Sequence, residues 1–295
     1  MMFSGNKMTD ISIIGAGRLG TCLGFALSGK GYRIKAVSCL TPGEAKESAK
    51  LLGGAHASTD NTRTAEQGTV VFLCLPDNEI SRVASELAHS PVDWSKKVVF
   101  HCSGLLPARV LILLKIKGAS VGSLHPAMPF AQKKPRRGQF QDVFFGLEGD
   151  KNALTTAQKM VRTLGGHAFI LQEKDKAAYH AACSIASNYL VVLLDAAVLV
   201  LRKTGLSEEQ ASQVLFPLAK GTLQNVKDFG LEASLTGPIV RGDAETIKEH
   251  FKALKEFPPV LNLYSALGTQ ALKIAQKRKL PPRTVRALKR LLEGK

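Results

Sequence analysis

The stretch "DISIIGAGRLG", residues 10–20, decides the fold. A β-branched run gives way to Gly15, Gly17 and Gly20 in the spacing G-x-G-x-x-G, and residues 18–29 then read as a helix. Strand, glycine turn and helix are the context in which this pattern cradles a dinucleotide. Gly15 permits the tight turn, Gly17 lets backbone approach a pyrophosphate, and Gly20 lets the helix pack closely on the strand. The helix N-terminus adds free N–H groups and partial positive charge for the phosphates. The whole loop, Gly15, Ala16, Gly17, Arg18, Leu19 and Gly20, is therefore the expected cofactor contact. The competing reading is a glycine turn with no ligand.

The next strand, "YRIKAVS" (32–38), bears on which dinucleotide. NAD sites usually carry Asp or Glu about 20 residues past the glycines, for the ribose hydroxyls. Here Ser38, Cys39 and Thr41 occupy that region, and no acid precedes Glu44. Ser38 and Thr41 offer hydrogen bonds to a 2′-phosphate and Arg18 offers charge, so NADP(H) is expected over NAD(H). The alternative is that Ser38 caps a turn.

Working outward, strands are predicted at "TVVFLCLP" (69–76), "KKVVFHCSG" (96–104), "ASVGSLH" (119–125), "QDVFFGLEG" (141–149) and "HAFILQ" (167–172), with helices over 43–52, 78–88, 106–116 and 151–164. That rhythm means crossover units and a mostly parallel sheet. After residue 172 the strands stop, and helices are predicted over 174–203, 207–229, 243–255, 258–277 and 282–293. The expected division is a dinucleotide-binding domain, 1–172, and a helical substrate and dimerisation domain, 173–295.

In such a sheet, residues at carboxyl strand ends face the ligand crevice. Leu75, Pro76, Asp77 and Ser103 are expected on the nicotinamide side, Ser103 also towards substrate; for Asp77 a helix N-cap is the plainer reading. "SLHPAMPF" (123–130) ends a strand at His125, and Pro126 forbids it to continue. A histidine there suits proton transfer near neutral pH; the alternative is a strand-end histidine bonded to backbone. In "YHAACSIASNYL" (179–190), His180, Ser184 and Asn188 follow one another at four-residue spacing and share a helix face, with Asp195 near the same stripe. Their partners are either protein or ligand. Taken as ligand groups, His180 and Asn188 join His125 as catalytic candidates, and Ser184 joins Ser103 and His125 at the substrate. Arg241, in "TGPIVRGD" (236–243), either holds an anion or pairs with the cap residue Asp243.

Composition narrows the classes. The chain has 295 residues, 45 % of them hydrophobic, and a formal charge of +16. Much of the excess lies in "KKPRR" (133–137) and "KIAQKRKLPPRTVRALKR" (273–290), read as solvated faces. No aromatics interleave with them, so nucleic-acid binding is not expected. Five scattered cysteines, with no C-x-x-C, argue against a disulfide framework and a zinc cluster, and no metal site is expected. The opening "MMFSGNKMTD" has no apolar core of leader length, so a reduced cytoplasmic compartment is expected. The apolar run 177–201 carries His180, Ser184, Asn188 and Asp195, which favours a buried soluble helix over a membrane span.

"GAGRLG", "LCLPDNEI", "HCSG", "SLHPAMPF", "YHAACSIASN" and "TGPIVRGD", in this order, resemble an uncharacterised bacterial family with a Rossmann-like domain followed by a helical domain of unknown function. That family is similar to pyrroline-5-carboxylate reductase, deazaflavin-dependent NADP oxidoreductases and prephenate dehydrogenase. The resemblance implies an α/β, doubly wound, mostly parallel Rossmann-like sheet, an all-helical C-terminal domain that dimerises, and hydride transfer. Prephenate dehydrogenases carry a similar His-Pro at a strand end, which implies a proton-transfer role for His125. The Lys-x-x-x-Asn of the β-hydroxyacid dehydrogenases is not intact, because Lys176 is followed four residues later by His180. The expected function is NADP-dependent hydride transfer on a small anionic keto, imino, hydroxy or amino acid. A non-catalytic NADP(H) sensor, or a protein that docks a partner, is the alternative.

Overall fold

The computed structural model describes residues 8–278 and 280–294. Most of the opening segment and Lys279 of the basic tail, both read above, lie outside the described residues. The chain divides into two compact units, one ending at Ser187 and the other beginning at Asn188.

The first unit runs β1 (Asp10–Ile14), α1 (Arg18–Ser28), β2 (Arg33–Ser38), α2 (Pro42–Leu51), β3 (His56–Ser58), α3 (Asn61–Gln67), β4 (Val70–Leu73), α4 (Asp77–Ala88), β5 (Val98–His101), α5 (Ile112–Ile116), β6 (Ser120–Pro126), β7 (Phe144–Gly149), α6 (Lys151–Leu164), β8 (His167–Ile170) and α7 (Lys176–Ala186). One eight-stranded sheet has the order β3-β2-β1-β4-β5-β6-β7-β8. Every neighbouring pair is parallel except β6 and β7. The order reverses between β1 and β4, so their carboxyl ends open the crevice where such sheets bind ligands.

Alternation along the strands explains the layering. Ile11 and Ile13 of β1 face a core with Leu23 and Leu27 of α1 and with Met160 and Val161 of α6. Ile14 faces the opposite core with Val83 and Leu87 of α4 and with Leu114 of α5. Strand β4 is buried along its whole length, which is why "VVFL" reads as a continuous apolar run. Burying each such side chain stabilises the fold by about 1.5–3 kcal/mol.

The second unit contains α8 (Asn188–Arg202), α9 (Glu208–Ser234), α10 (Pro238–Arg241), α11 (Ala244–Leu254), α12 (Pro258–Gln276) and α13 (Pro282–Leu292). Ser207 opens α9 with a capping box to Gln210. Its buried cluster is small: Ile247, Leu272, Leu288 and Leu292.

Four features differ from the sequence reading. The short elements β3 and α3 were not expected. The helix expected over 174–203 breaks at Ser187, where φ is −116° and ψ −66°. The stretch 173–202 is long and apolar enough to cross a membrane by length and composition, but it is not the buried helix expected, for little of it is covered. The unit boundary falls after Ser187 rather than after residue 172 for the same reason: α7 turns Lys176, Tyr179 and His180 inward and leaves its alanines and Ile185 outside.

Candidate active site

The glycine loop is fixed from both sides. Gly15 has φ +81°, and a Cβ there would lie 2.7 Å from the Cys74 carbonyl oxygen. A Cβ on Gly20 would lie 2.8 Å from the Gly15 carbonyl. The Ser38 carbonyl accepts from the N–H groups of Gly15 (2.9 Å) and Ala16 (3.0 Å), tying the loop to the end of β2. Ala16 is buried and Leu19 packs against the core, so both shape the loop through their side chains. Gly17 is exposed, and a Cβ on it would meet nothing nearer than 4.0 Å. Helix α1 starts there with no side-chain cap and no acid in its first turn. An open helix start behind glycines that a Cβ would obstruct fits a dinucleotide pyrophosphate.

The ribose end differs from expectation. Ser38 is buried, and its hydroxyl donates to Asn61 Oδ1 at 2.7 Å. Thr41 caps α2 by accepting from the Glu44 N–H and donates to the Glu44 carboxylate. Neither hydroxyl proton is free for a 2′-phosphate. Cys39 is half-buried, its thiol pushed up by burial.

A polar cluster gathers at the carboxyl ends of β4, β5 and β6. Leu75 abuts Gly15, and the Cys74 and Cys102 sulfurs lie 3.7 Å apart, so this cluster borders the glycine loop. Pro76, not Asp77, is the N-cap of α4. Asp77 instead accepts from the Ser103 hydroxyl at 2.9 Å. That hydroxyl also accepts from the N–H groups of Leu105 and Leu106, which uses its one donor and both lone pairs. Ser103 therefore organises the strand end and has no hydroxyl proton left for cofactor or substrate.

Lys176, the first residue of α7, is 1 % exposed. Its Nζ donates to Ser123 Oγ at 2.7 Å and to the Ser103 carbonyl at 3.5 Å. Burial lowers its ammonium pKa, while the Glu148 and Asp77 carboxylates raise it. Glu148 also holds the turn after β5 by accepting from the Ala108 N–H at 2.5 Å.

His125, one step from the end of β6, places Nδ1 2.7 Å from Tyr179 Oη. Burial first, then the neighbouring His180 and Lys176, lower its pKa to about 4. Burial pushes the Tyr179 hydroxyl above its ordinary value. The pair is thus a neutral imidazole beside a protonated phenol at neutral pH. The His125 and His180 ring centroids are 6.3 Å apart. Gly104 lies between them: a Cβ there would sit 2.9 Å from both His125 Nε2 and His180 Cδ2. Beneath, fully buried His101 accepts at Nδ1 from the Ser103 N–H (3.2 Å). Burial and Lys176 lower its pKa to about 3.

Of the residues singled out from the sequence, His125, His180, Asp77 and Ser103 come together here. Ser184 lies on the half-buried face of α7. Asn188 does not continue that face, because the helix breaks before it; it is the exposed first residue of the second unit. Arg241, also in the second unit, is exposed at the end of the one-turn helix α10, while Asp243 caps α11. Lys176 and Tyr179 were missed as site residues. Their signal was present in the same four-residue spacing, since Lys176, Tyr179, His180 and Cys183 form one helical stripe.

Residues 5–126 match a Rossmann-like domain, and residues 143–294, just over half of the chain, match the Domain of unknown function (DUF2520). No curated protein matches the chain. A solved protein from Thermotoga maritima is 27 % identical, covering 92 % of this chain and 100 % of its own, with a TM-score of 0.71. A provisionally named NADP oxidoreductase from Bacteroides fragilis is 23 % identical over 90 % of this chain and 98 % of its own, with a TM-score of 0.76. A pyrroline-5-carboxylate reductase from Coxiella burnetii shares the fold at 17 % identity over 92 % and 98 %, with a TM-score of 0.58. The chain belongs to the DUF2520 family, whose domain here follows a Rossmann-like one.

Proposed function

We propose that this chain is an NADP(H)-dependent oxidoreductase acting on a small anionic molecule at a carbon that bears oxygen or nitrogen. One observation carries the reading: a buried ammonium, Lys176, lies in one cluster with the His125–Tyr179 pair at the strand ends bordering an open glycine loop. Structural neighbours of the same fold include an NADP-bound pyrroline carboxylate reductase from Plasmodium falciparum and a reductive aminase from Aspergillus terreus in complex with NADPH.

A dinucleotide held on the glycine loop would supply or accept the hydride through its nicotinamide. Lys176 has three N–H donors; Ser123 takes one at short range and the Ser103 carbonyl takes a long one. The remaining donor suits a substrate oxygen or carboxylate, and a lysine stripped of water makes a strong charge-assisted bond. His125, neutral at pH 7, accepts a proton in the oxidative direction, with Tyr179 holding the ring in place. When Nδ1–H donates to Tyr179 Oη, the lone pair of Nε2, the atom beside Gly104, is free to take that proton. The absence of a side chain at Gly104 keeps that edge clear for a ligand.

A second copy of the chain is the proposed cover for the second unit. Val191, Val192, Val214, Phe216, Leu218 and Phe229 of α8 and α9 are each more than half exposed. Residues 188–234 carry five acidic against four basic side chains, so this stretch is nearly neutral in a strongly basic chain and charge does not oppose self-association.

The test is NADPH oxidation against a panel of 2-oxo acids and cyclic imino acids. Turnover is expected with one class and is expected to disappear in Lys176→Met. Tight NADPH binding with no turnover on any of them would favour the sensor reading.

A further inference from the structure

The basic run "KKPRR" lies in the connection between β6 and β7, residues 127–143, and this connection is a strap rather than a free loop. Phe130 and Phe140 pack together with centroids 6.0 Å apart, Phe140 packs at a tilt on Phe145 at 5.7 Å, and Phe140 is fully buried. Between these anchors the strap reaches back across the sheet to the other half of the crevice. Arg18 of the glycine loop donates to the Ala131 carbonyl at 3.5 Å. Lys133 Nζ donates to the Glu44 carbonyl at 3.4 Å and to Glu47 at 3.0 Å, both on α2. Its positive charge also reaches the Cys39 thiol at the end of β2.

That strand end is where a dinucleotide places its adenosine ribose. The hydroxyls expected to serve a 2′-phosphate there are engaged elsewhere, Ser38 with Asn61 and Thr41 with α2. What remains is Arg18 from the loop and Lys133 from the strap. The Lys133 side chain is only 19 % exposed, so it is held in place and partly stripped of water, which strengthens its pull on an anion. Leu40, 95 % exposed at the same strand end, offers an apolar flank for a nucleobase.

We propose that the strap between β6 and β7 sets the cofactor preference, with Lys133 and Arg18 holding the 2′-phosphate of NADP(H). The proposal rests on the dinucleotide reading above and adds to it the residues that discriminate. Glu47 competes with the phosphate for Lys133, so its carboxylate limits affinity.

Calorimetric titration of the full chain with NADPH, NADH, 2′,5′-ADP and 5′-ADP tests this without turnover. The unaltered protein is expected to favour the two 2′-phosphorylated ligands. Lys133→Gln is expected to weaken those two by about tenfold or more, the scale of one charge-assisted hydrogen bond. NADH and 5′-ADP stay within about twofold, and the melting temperature holds. Glu47→Gln is expected to tighten NADPH and 2′,5′-ADP and to leave NADH and 5′-ADP unchanged. Equal loss for all four ligands in Lys133→Gln, or no loss for any, overturns the strap's role. If the unaltered protein binds NADPH and NADH equally, the strap reading falls and the dinucleotide reading stands. If it binds neither, both fall.

Discussion

The two units use apolar side chains in opposite ways. In the first, every central strand is sealed between two helical layers, and its polar groups collect at one end of the sheet, where they bond to one another. In the second, four residues form the buried cluster while large apolar side chains of α8 and α9 face outward. A groove of about 430 Å³, lined by Leu193, Val200, Leu215, Leu254 and Leu267, adds to that surface. Monomeric soluble proteins rarely leave such contiguous apolar area uncovered. The first unit buries its apolar faces within a single copy; in the dimer proposed above, the second would acquire its cover by assembly.

The sharpest way to break this contrast is to charge the exposed face. Phe216→Glu, present on both protomers of a dimer, removes about 2–3 kcal/mol of apolar burial twice. The dimer dissociation constant should rise at least about a thousandfold, and light scattering should report the mass of one 31.7 kDa chain. A single-chain mass for the unaltered protein at micromolar concentration would sink the claim.

The chemistry proposed for the first unit rests on Lys176. Lys176→Met keeps the stem and removes the ammonium. Turnover should fall at least about a hundredfold, within the range of one lost acid–base or electrostatic group. NADPH affinity should change less than about twofold, because the lysine sits at the strand ends and not at the glycine loop. The melting temperature should hold or rise, since burying a charge costs stability.

The same contrast governs how much was legible in the sequence. The first unit follows from alternation and from one glycine loop, because each local signal agrees with the global fold. Where it misled, the deciding partner is distant in sequence. Ser38 looked free at a strand end, but its acceptor is Asn61, on an unexpected short helix, "NTRTAEQ", with no apolar period to announce it. Lys176 entered the sequence reading only as the start of an incomplete Lys-x-x-x-Asn pattern, because its partners Ser123 and Ser103 come from the sheet. The break at Ser187 has no Gly or Pro to mark it. In the second unit, helices were legible from periodicity, but periodicity did not show that large apolar side chains of α8 and α9 would face outward.

Stability against pH separates the units further. His125 and His101 have folded pKa values of about 4 and about 3, below the ordinary 6.5. The unfolded chain therefore binds protons first as pH falls, and folding must oppose that uptake. The stability these neutral histidines confer is full above pH 6.5 and is lost as pH falls from there through 4. The loss is on the order of 3 kcal/mol for His125. Denaturant melts of the first transition between pH 7 and 4 should show it; a flat profile would contradict the buried, neutral state.

The smallest effect expected is also the most discriminating. His125→Asn preserves a polar side chain of similar reach, so NADPH affinity should be unchanged and Tyr179 keeps a hydrogen-bond partner. Turnover should fall by at least about tenfold, a floor beneath the usual acid–base contribution. The slope of stability with pH should flatten, because one titrating group with a depressed pKa is gone. A merely structural histidine would flatten that slope and leave turnover alone. A histidine that moves a proton changes both, and the turnover loss should persist across pH, since an amide has no proton to exchange at any of them. Unchanged turnover would reduce His125 to a strand-end anchor for Tyr179 and leave Lys176 as the one ionisable group at which substrate chemistry is centred.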